Sequence, residues 1–210
     1  MVSDTDYSGY VSKGTRVLTG GDGVSYRFDP SSLPLELLLS GGPGPYGRFE
    51  TLDRPADLAS WLQESRLALT VPVTAADFRI RPAEFAEIQA LRDTLWLVVG
   101  EIVHGRPPSA EDLTLINESA ATTIQPKVDL VTGGLGWVTP ITGAQVLGVV
   151  AREVIDFLVW DGGRRVRECA ASDCRLVFLD TSRSRNRRWC SMERCGNRHK
   201  VRTYRARQDE

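Results

Sequence analysis

The sequence predicts a mainly α-helical protein with short β-hairpins: a helical N-terminal domain over residues 1–160 and a small four-cysteine finger over residues 161–210. Three observations predict this. Apolar residues recur at three- and four-residue steps through several long segments, the period of a helix with one buried face. Pairs of short β-favouring runs flank glycine-rich turns. All four cysteines of the 210-residue chain lie within the 27 residues from Cys169 to Cys195.

The elements follow in chain order. The first ten residues read as a loose tail. Thr15 to Thr19 and Val24 to Phe28 are strand-like runs around Gly20-Gly21-Asp22-Gly23, a hairpin signal. Leu33 to Leu39 is a compact apolar run, and Pro34 suits the first turn of a helix. Ser40 to Gly47 holds four glycines and two prolines and reads as a loop. Asp53 is expected to cap a short helix carrying Leu58, Trp61 and Leu62. Thr74 and Asp77 have the spacing of a capping box.

The strongest helix begins near Pro82 and carries Phe85, Ile88, Leu91, Leu95, Val98, Val99 and Ile102 towards Gly105. Pro107-Pro108 breaks the chain, and Ser109 with Asp112 opens a helix that turns Leu113, Ile116 and Ala120 inward. Val128 to Thr132 and Gly136 to Thr139 form a second hairpin turning at Gly133-Gly134. Thr142 or Gly143 starts a last long helix through Val146, Val149, Val150, Val154, Phe157 and Leu158. Asp161-Gly162-Gly163 ends it and marks the domain boundary.

A hydrophobic content of 41% is enough for a core in the N-terminal domain. The net charge of −1 hides an asymmetry: residues 160–210 carry +7 and residues 1–159 carry −8. Such a split points the basic end at a polyanion. The N-terminus shows no basic stretch followed by an apolar run, and no stretch approaches the roughly 18 apolar residues of a membrane span. A cytoplasmic protein with no membrane partner is expected.

Residues 1–160 contain no phosphate-loop, dinucleotide, serine-hydrolase or histidine–metal motif. His104 sits where it can meet the dipole at a helix C-terminus. Glu36, Trp61, Arg92 and Trp96, with the loop Gly41 to Gly47, are candidates to line a pocket between the two modules. That is the alternative reading: an enzyme or small-molecule-binding protein whose finger is purely structural. Nothing in their spacing specifies a reaction.

The cysteines form two pairs of identical spacing, C-x4-C, fifteen residues, C-x4-C. Two such knuckles suit one tetrahedral zinc with Cys169, Cys174, Cys190 and Cys195 as ligands. Two disulfides, or free redox thiols, are the alternatives. Four thiolates leave no open position, so the zinc would be structural. His199, four residues after Cys195, is a competing ligand or a helix-surface residue.

Arg164 to Glu168 reads as a strand entering the first knuckle, and Arg175 to Asp180 as the returning strand. Thr181 to Arg187 is a polar loop, Trp189 supplies apolar cover, and a helix runs from Arg194 to about Arg207. This order of knuckle, strand pair, loop, knuckle and helix is treble-clef-like.

The arginines carry two readings. Arg175, Arg188, Arg194 and Arg198 flank the ligands and can offset the −2 formal charge of a zinc tetrathiolate. Arg194, Arg198, Arg202 and Arg205 share a helix face, Lys200 and Arg207 lie beside it, and Arg183, Arg185 and Arg187 alternate in the loop. With Arg188, these are the candidate nucleic-acid contacts, because a zinc site alone does not need so many cations.

The run from Cys169 to Arg207 contains Phe178-Leu179-Asp180-Thr181-Ser182-Arg183, then Arg187-Arg188-Trp189-Cys190-Ser191-Met192, then Cys195-Gly196-Asn197-Arg198. This resembles the CGNR zinc-finger family, named for the last tetrapeptide. Members pair the finger with a mostly helical N-terminal domain called ABATE. Asp57-Leu58-Ala59-Ser60-Trp61-Leu62 and Ala90-Leu91-Arg92 fit that domain's style. The resemblance implies that the four cysteines hold zinc and that Asn197 and Arg198 hold the knuckle against the helix. It also implies a bacterial, stress-induced transcription regulator. The expectation is therefore a DNA-binding finger with a helical domain that senses a small-molecule effector or forms a homodimer. A third possibility is a module whose basic helix meets an acidic protein.

Overall fold

The computed structural model describes residues 13–20, 23–161 and 163–208. The expected N-terminal tail, the Gly21-Asp22 turn and Gly162 lie outside the described residues. Strands β1 (Arg16–Thr19) and β2 (Ser25–Phe28) pair antiparallel, with Arg16 opposite Phe28. Then come α1 (Leu33–Leu37), with Pro34 in its first turn as the sequence predicts, and α2 (Pro55–Gln63). The glycine-rich loop between them holds a short 3-10 turn at Gly44–Phe49.

The cap of α2 differs from the expectation by one residue. Arg54 is the N-cap, and the Asp57 carboxylate reaches back to accept the backbone N–H groups of Asp53 and Arg54 at 3.2 and 3.1 Å. An acid in the first turn can satisfy these donors as well as a capping side chain can. The Thr74–Asp77 box does form, around a 3-10 turn, with Thr74 N–H donating to Asp77 at 2.8 Å.

Strand β3 (Phe78–Arg79) leads into α3 (Pro82–Val103), the longest helix. Helix α4 (Ala110–Ser119) follows, its N-cap Ser109 accepting from Asp112 N–H at 3.1 Å. The second hairpin is β4 (Pro126–Val128) and β5 (Leu135–Trp137), so of the expected first strand only Val128 joins the ladder; residues 129–134 are the turn, because the Asp129 carboxylate accepts the N–H groups of Val131 and Thr132. Strand β6 (Ile141–Thr142) pairs parallel with β3 and opens α5 (Gly143–Asp161). With two residues per strand, this bridge leaves no period for a sequence pattern to reveal. Strands β7 (Val166–Glu168) and β8 (Val177–Leu179) pair antiparallel, and α6 (Asn197–Ala206) closes the described chain. No helix among the described residues is long and apolar enough to cross a membrane.

Two cores hold these elements. The larger is centred on α3, whose Leu91, Leu95 and Val98 are buried with Val146, Val150 and Val154 of α5, Leu58 and Leu62 of α2, and Leu35 and Leu37 of α1. Each such leucine stabilises the fold by about 1.5–3 kcal/mol of transfer free energy. The loop after α4 crosses directly over α5. A Cβ at Gly148 would lie 1.6 Å from the Thr122 carbonyl oxygen, so only glycine fits that crossing.

The smaller core holds Phe28, Phe178, Cys169, Cys190 and Cys195, with Leu18, Tyr26, Leu39 and Trp189 packed against it. Phe28, Tyr26 and Leu18 come from the β1–β2 hairpin, some 150 residues before the cysteines. The chain just after the hairpin also meets β8, where Leu179 N–H donates to the Pro30 carbonyl at 2.8 Å. Val166 and Val177, from β7 and β8, belong to the larger core. Gly163, at φ 73°, turns the chain off α5 against Ile102 of α3.

Candidate metal centre and basic groove

The four cysteine sulfurs lie within 4.8 Å of one another. Cys174 Sγ is 3.7 Å from Cys190 Sγ, which is 3.5 Å from Cys195 Sγ. A tetrahedron with Zn–S bonds of about 2.3 Å has edges of about 3.8 Å, so the cluster is already near the size of a zinc tetrathiolate. Its chemistry also calls for a cation. Hydrogen bonds from Cys174 and Cys190 draw Cys169 down towards thiolate. The Cys169 sulfur in turn pushes Cys174 and Cys190 up, and burial pushes Cys195 up. Four sulfurs this close cannot all ionise unless a metal dication offsets their charge.

The backbone shapes each knuckle. Cys169 N–H donates to Leu176 O at 2.9 Å, Cys174 N–H to Ala171 O at 3.0 Å, and Cys190 N–H to Cys169 Sγ at 3.4 Å. A π-helical turn, Met192–Gly196, carries Cys195 and runs into α6. Gly196 packs closely there: a Cβ would meet Met192 Sδ at 2.7 Å and Trp189 Cδ1 at 3.4 Å, so the Met192 side chain would have to shift to admit one. The ring of His199 lies against Trp189, with centroids 4.7 Å apart, so it packs on the cover of the site.

Asp180 organises the loop between the knuckles. It is buried and accepts Ser182 N–H and Arg187 N–H at 2.9 Å each, and the Ser182 hydroxyl at 2.5 Å. Burial pushes its carboxyl up, but these hydrogen bonds outweigh burial and hold it below the usual range.

The structure sorts the candidate arginines. Arg187 turns inward: its guanidinium lies 4.1 Å over the Phe178 ring and donates to the carbonyls of Trp189, at 3.0 Å, and of Cys190. It holds the second knuckle and is not presented for a phosphate. Arg194 anchors the hairpin, lying 4.5 Å over the Tyr26 ring and donating to Val24 O at 3.3 Å. Arg198 and Arg202 both reach Asp173 Oδ2 in the first knuckle, Arg202 at 3.1 Å. That pair of contacts ties α6 to the Cys169–Cys174 loop. Asn197 donates to the Glu193 carbonyl at 3.3 Å, within its own turn.

Arg183, Arg185, Arg188, Lys200, Arg205 and Arg207 are exposed. Arg188 stacks over Trp189 at 5.2 Å, and Arg175 pairs with Glu168 at 3.0 Å. Arg194, Arg198, Arg202 and Arg205 line one groove of about 590 Å³, as their four-, four- and three-residue steps predict.

The four candidate pocket residues fall into two internal knots. Glu36 is fully buried, ion-paired with Arg16 at 2.6 Å, and accepts Arg66 N–H at 2.9 Å. Burial pushes its carboxyl up against the pull of Arg16. Arg16 also lies 4.4 Å over Trp61. Arg92 makes two bonds to Glu50, at 2.8 and 2.7 Å, while Trp96 stacks on Tyr46 at 3.7 Å and donates to Gly41 O at 2.9 Å. Both knots brace the loops around α1 and α2.

Sequence reasoning missed Asp173, Arg16, Tyr26 and Phe28 as supports of these sites. Asp173 had one legible signal, an acid inside the first knuckle of an otherwise basic finger.

Two family matches accord with this geometry. Residues 165–208 match the CGNR zinc finger, and residues 31–161 match ABATE, whose description reads "Putative stress-induced transcription regulator". No curated protein matches the chain. The chain belongs to the ABATE family and carries a C-terminal CGNR zinc finger, whose four cysteines are placed to bind a single structural zinc.

Proposed function

We propose that this protein is a transcription regulator that binds duplex DNA through the basic face of α6, with zinc acting only as scaffold. One observation carries the reading. Arg198, Arg202 and Arg205 share one face of a ten-residue helix that has no buried residue of its own. A helix without a core-facing stripe is held mainly near its base, here by Cys195, by His199 against Trp189 and by Asp173. Its length, about 15 Å, suits a major groove roughly 12 Å wide.

Bound zinc would cut the charge of the four thiolates to a formal −2 and close the knuckles. The chain's own residues then do the positioning: Gly196 lets the π turn pack on Trp189, Arg187 fixes the second knuckle, and Asp173 orients Arg198 and Arg202. A phosphate would replace the Asp173 carboxylate as the partner of those two arginines. Binding of this kind weakens as salt rises, because each neutralised phosphate releases counterion.

Fluorescence anisotropy with genomic duplexes tests the reading. With about three phosphate contacts, affinity should fall roughly 50-fold between about 50 and 200 mM salt. Arg202→Glu combined with Arg205→Glu should abolish binding and leave the zinc content unchanged. Retained binding in that double variant would move the contact surface away from α6.

A further inference from the structure

The groove beside α6 has a second wall, and that wall lies outside both family matches. Residues 16–28 precede the ABATE match, which begins at residue 31, and lie far from the finger match at residues 165–208. Yet the β1–β2 hairpin is built onto the finger. Phe28 is buried with Cys169, Cys190 and Cys195, and Tyr26 and Leu18 pack on the same cluster. Arg194 bolts the two together, stacked on Tyr26 and bonded to Val24 O. Gly20 packs so tightly on the Arg194 guanidinium that a Cβ there would lie 1.7 Å from Nη2.

The hairpin thereby places Val24 and Ser25 across the groove from Arg198, Val201 and Arg202. Val24 is 57% exposed and Val201 48%, so the groove offers apolar surface beside its cations. A bare anion site would not need that surface. A sugar–phosphate strand would use it, since its charge lies on one edge and its apolar sugars on the other. An acidic peptide with apolar neighbours is the competing occupant, and crosslinking at Val24 separates it from DNA.

The geometry points to the β1–β2 hairpin as a second nucleic-acid-contacting wall, clasping one backbone strand of the DNA between Val24–Ser25 and the arginine face of α6. This rests on the proposed DNA-binding reading of α6. The hairpin serves the finger twice, covering the thiolates with Phe28 and Tyr26 and extending the contact surface with Val24 and Ser25. Zinc would then position the hairpin as well as the helix.

The test uses the full-length, zinc-loaded protein. Ser25 is exposed and its hydroxyl shares a hydrogen bond with that of Thr19 at 3.2 Å, away from the cysteine cluster, so a charge can be placed there without touching the cluster. Ser25→Asp should weaken binding to duplex DNA about fivefold. Ser25→Lys should strengthen it and steepen the salt slope by about 0.9. A photo-crosslinking residue at Val24 should capture the duplex, whereas the same residue at Leu130, 97% exposed on the β4–β5 turn, should not.

If both Ser25 variants match the wild type and Val24 captures no DNA, while Arg202→Glu with Arg205→Glu still abolishes binding, the hairpin is not a wall and the α6 reading stands. If the wild type binds no duplex even at low salt, the DNA reading fails and the second wall goes with it. Capture of an acidic protein at Val24 in place of DNA would also overturn the proposal.

Discussion

The helical body and the zinc finger are stabilised in opposite ways. The body buries aliphatic side chains from α1, α2, α3 and α5 around Leu91, Leu95 and Val98. Among the described residues the finger's core is five buried side chains, of which three are cysteines and one, Phe28, comes from the N-terminal hairpin. The body's stability is spread over many apolar contacts, whereas the finger depends on one ion and its thiolates. Local loss should therefore be graded in the body and abrupt in the finger. The seam between them is Val166 and Val177, finger strands that reach into the body's core.

The largest effect that can break this contrast is removal of zinc. Structural zinc contributes roughly 10–16 kcal/mol to small metallodomains. Chelation, or Cys190→Ser, should strip hydrogen-exchange protection from residues 164–207 and from residues 16–28 together, with α3 and α5 still protected. Loss of α3 and α5 in the same step would show that the Val166–Val177 seam carries the body as well.

Next comes a cavity in the body. Leu95→Ala should cost about 2–5 kcal/mol in denaturant unfolding and leave zinc content intact. Zinc lost along with it would mean that the finger draws on the body's core.

Asp180→Ala should cost about 1–3 kcal/mol, because it strands the part-buried N–H groups of Ser182 and Arg187. Proteolysis should then cut the 181–187 loop first, with the body's melting transition unchanged. Cleavage at wild-type rates would mean that Arg187, stacked on Phe178, holds the loop alone.

The smallest effect lies in the body. Burial pushes the Glu50 carboxyl up, but the paired bonds from Arg92 outweigh it and hold the group below its ordinary value. A depressed acid contributes stability above its unfolded pKa of about 4.3 and loses it as pH falls through the folded value. Wild type should therefore exceed Glu50→Gln in melting temperature at neutral pH, and the gap should close in acid. A gap that does not change with pH would assign the difference to packing of the Gly41–Gly47 loop.

Much of this was legible in the chain. The periodicity of Phe85 to Ile102 and of Val146 to Leu158 marks α3 and α5, and Ser109 marks the start of α4, because each signal is local. The metal centre was legible because knuckle spacing is local too. Less was legible among the arginines. Arg187, Arg194 and Arg205 are the same residue type within 19 positions, yet one braces a knuckle, one pins the hairpin and one is exposed. Their roles depend on what lies across from each, which no spacing reports. The Glu36, Trp61, Arg92 and Trp96 set likewise divides into two bracing knots once Arg16 and Glu50 supply partners.

The sequence by itself determined the helices, the hairpins and a closed four-thiolate zinc site, since each is written in the intervals between neighbouring residues. Only the tertiary structure decided that Leu18, Tyr26 and Phe28 of the hairpin pack with the finger and that Asp173 clamps Arg198 and Arg202. Those contacts join residues up to 170 positions apart, as Arg194 and Val24 are, or meet through side chains off any shared period. Their free energy comes from complementary burial and charge that exist only once the chain has folded.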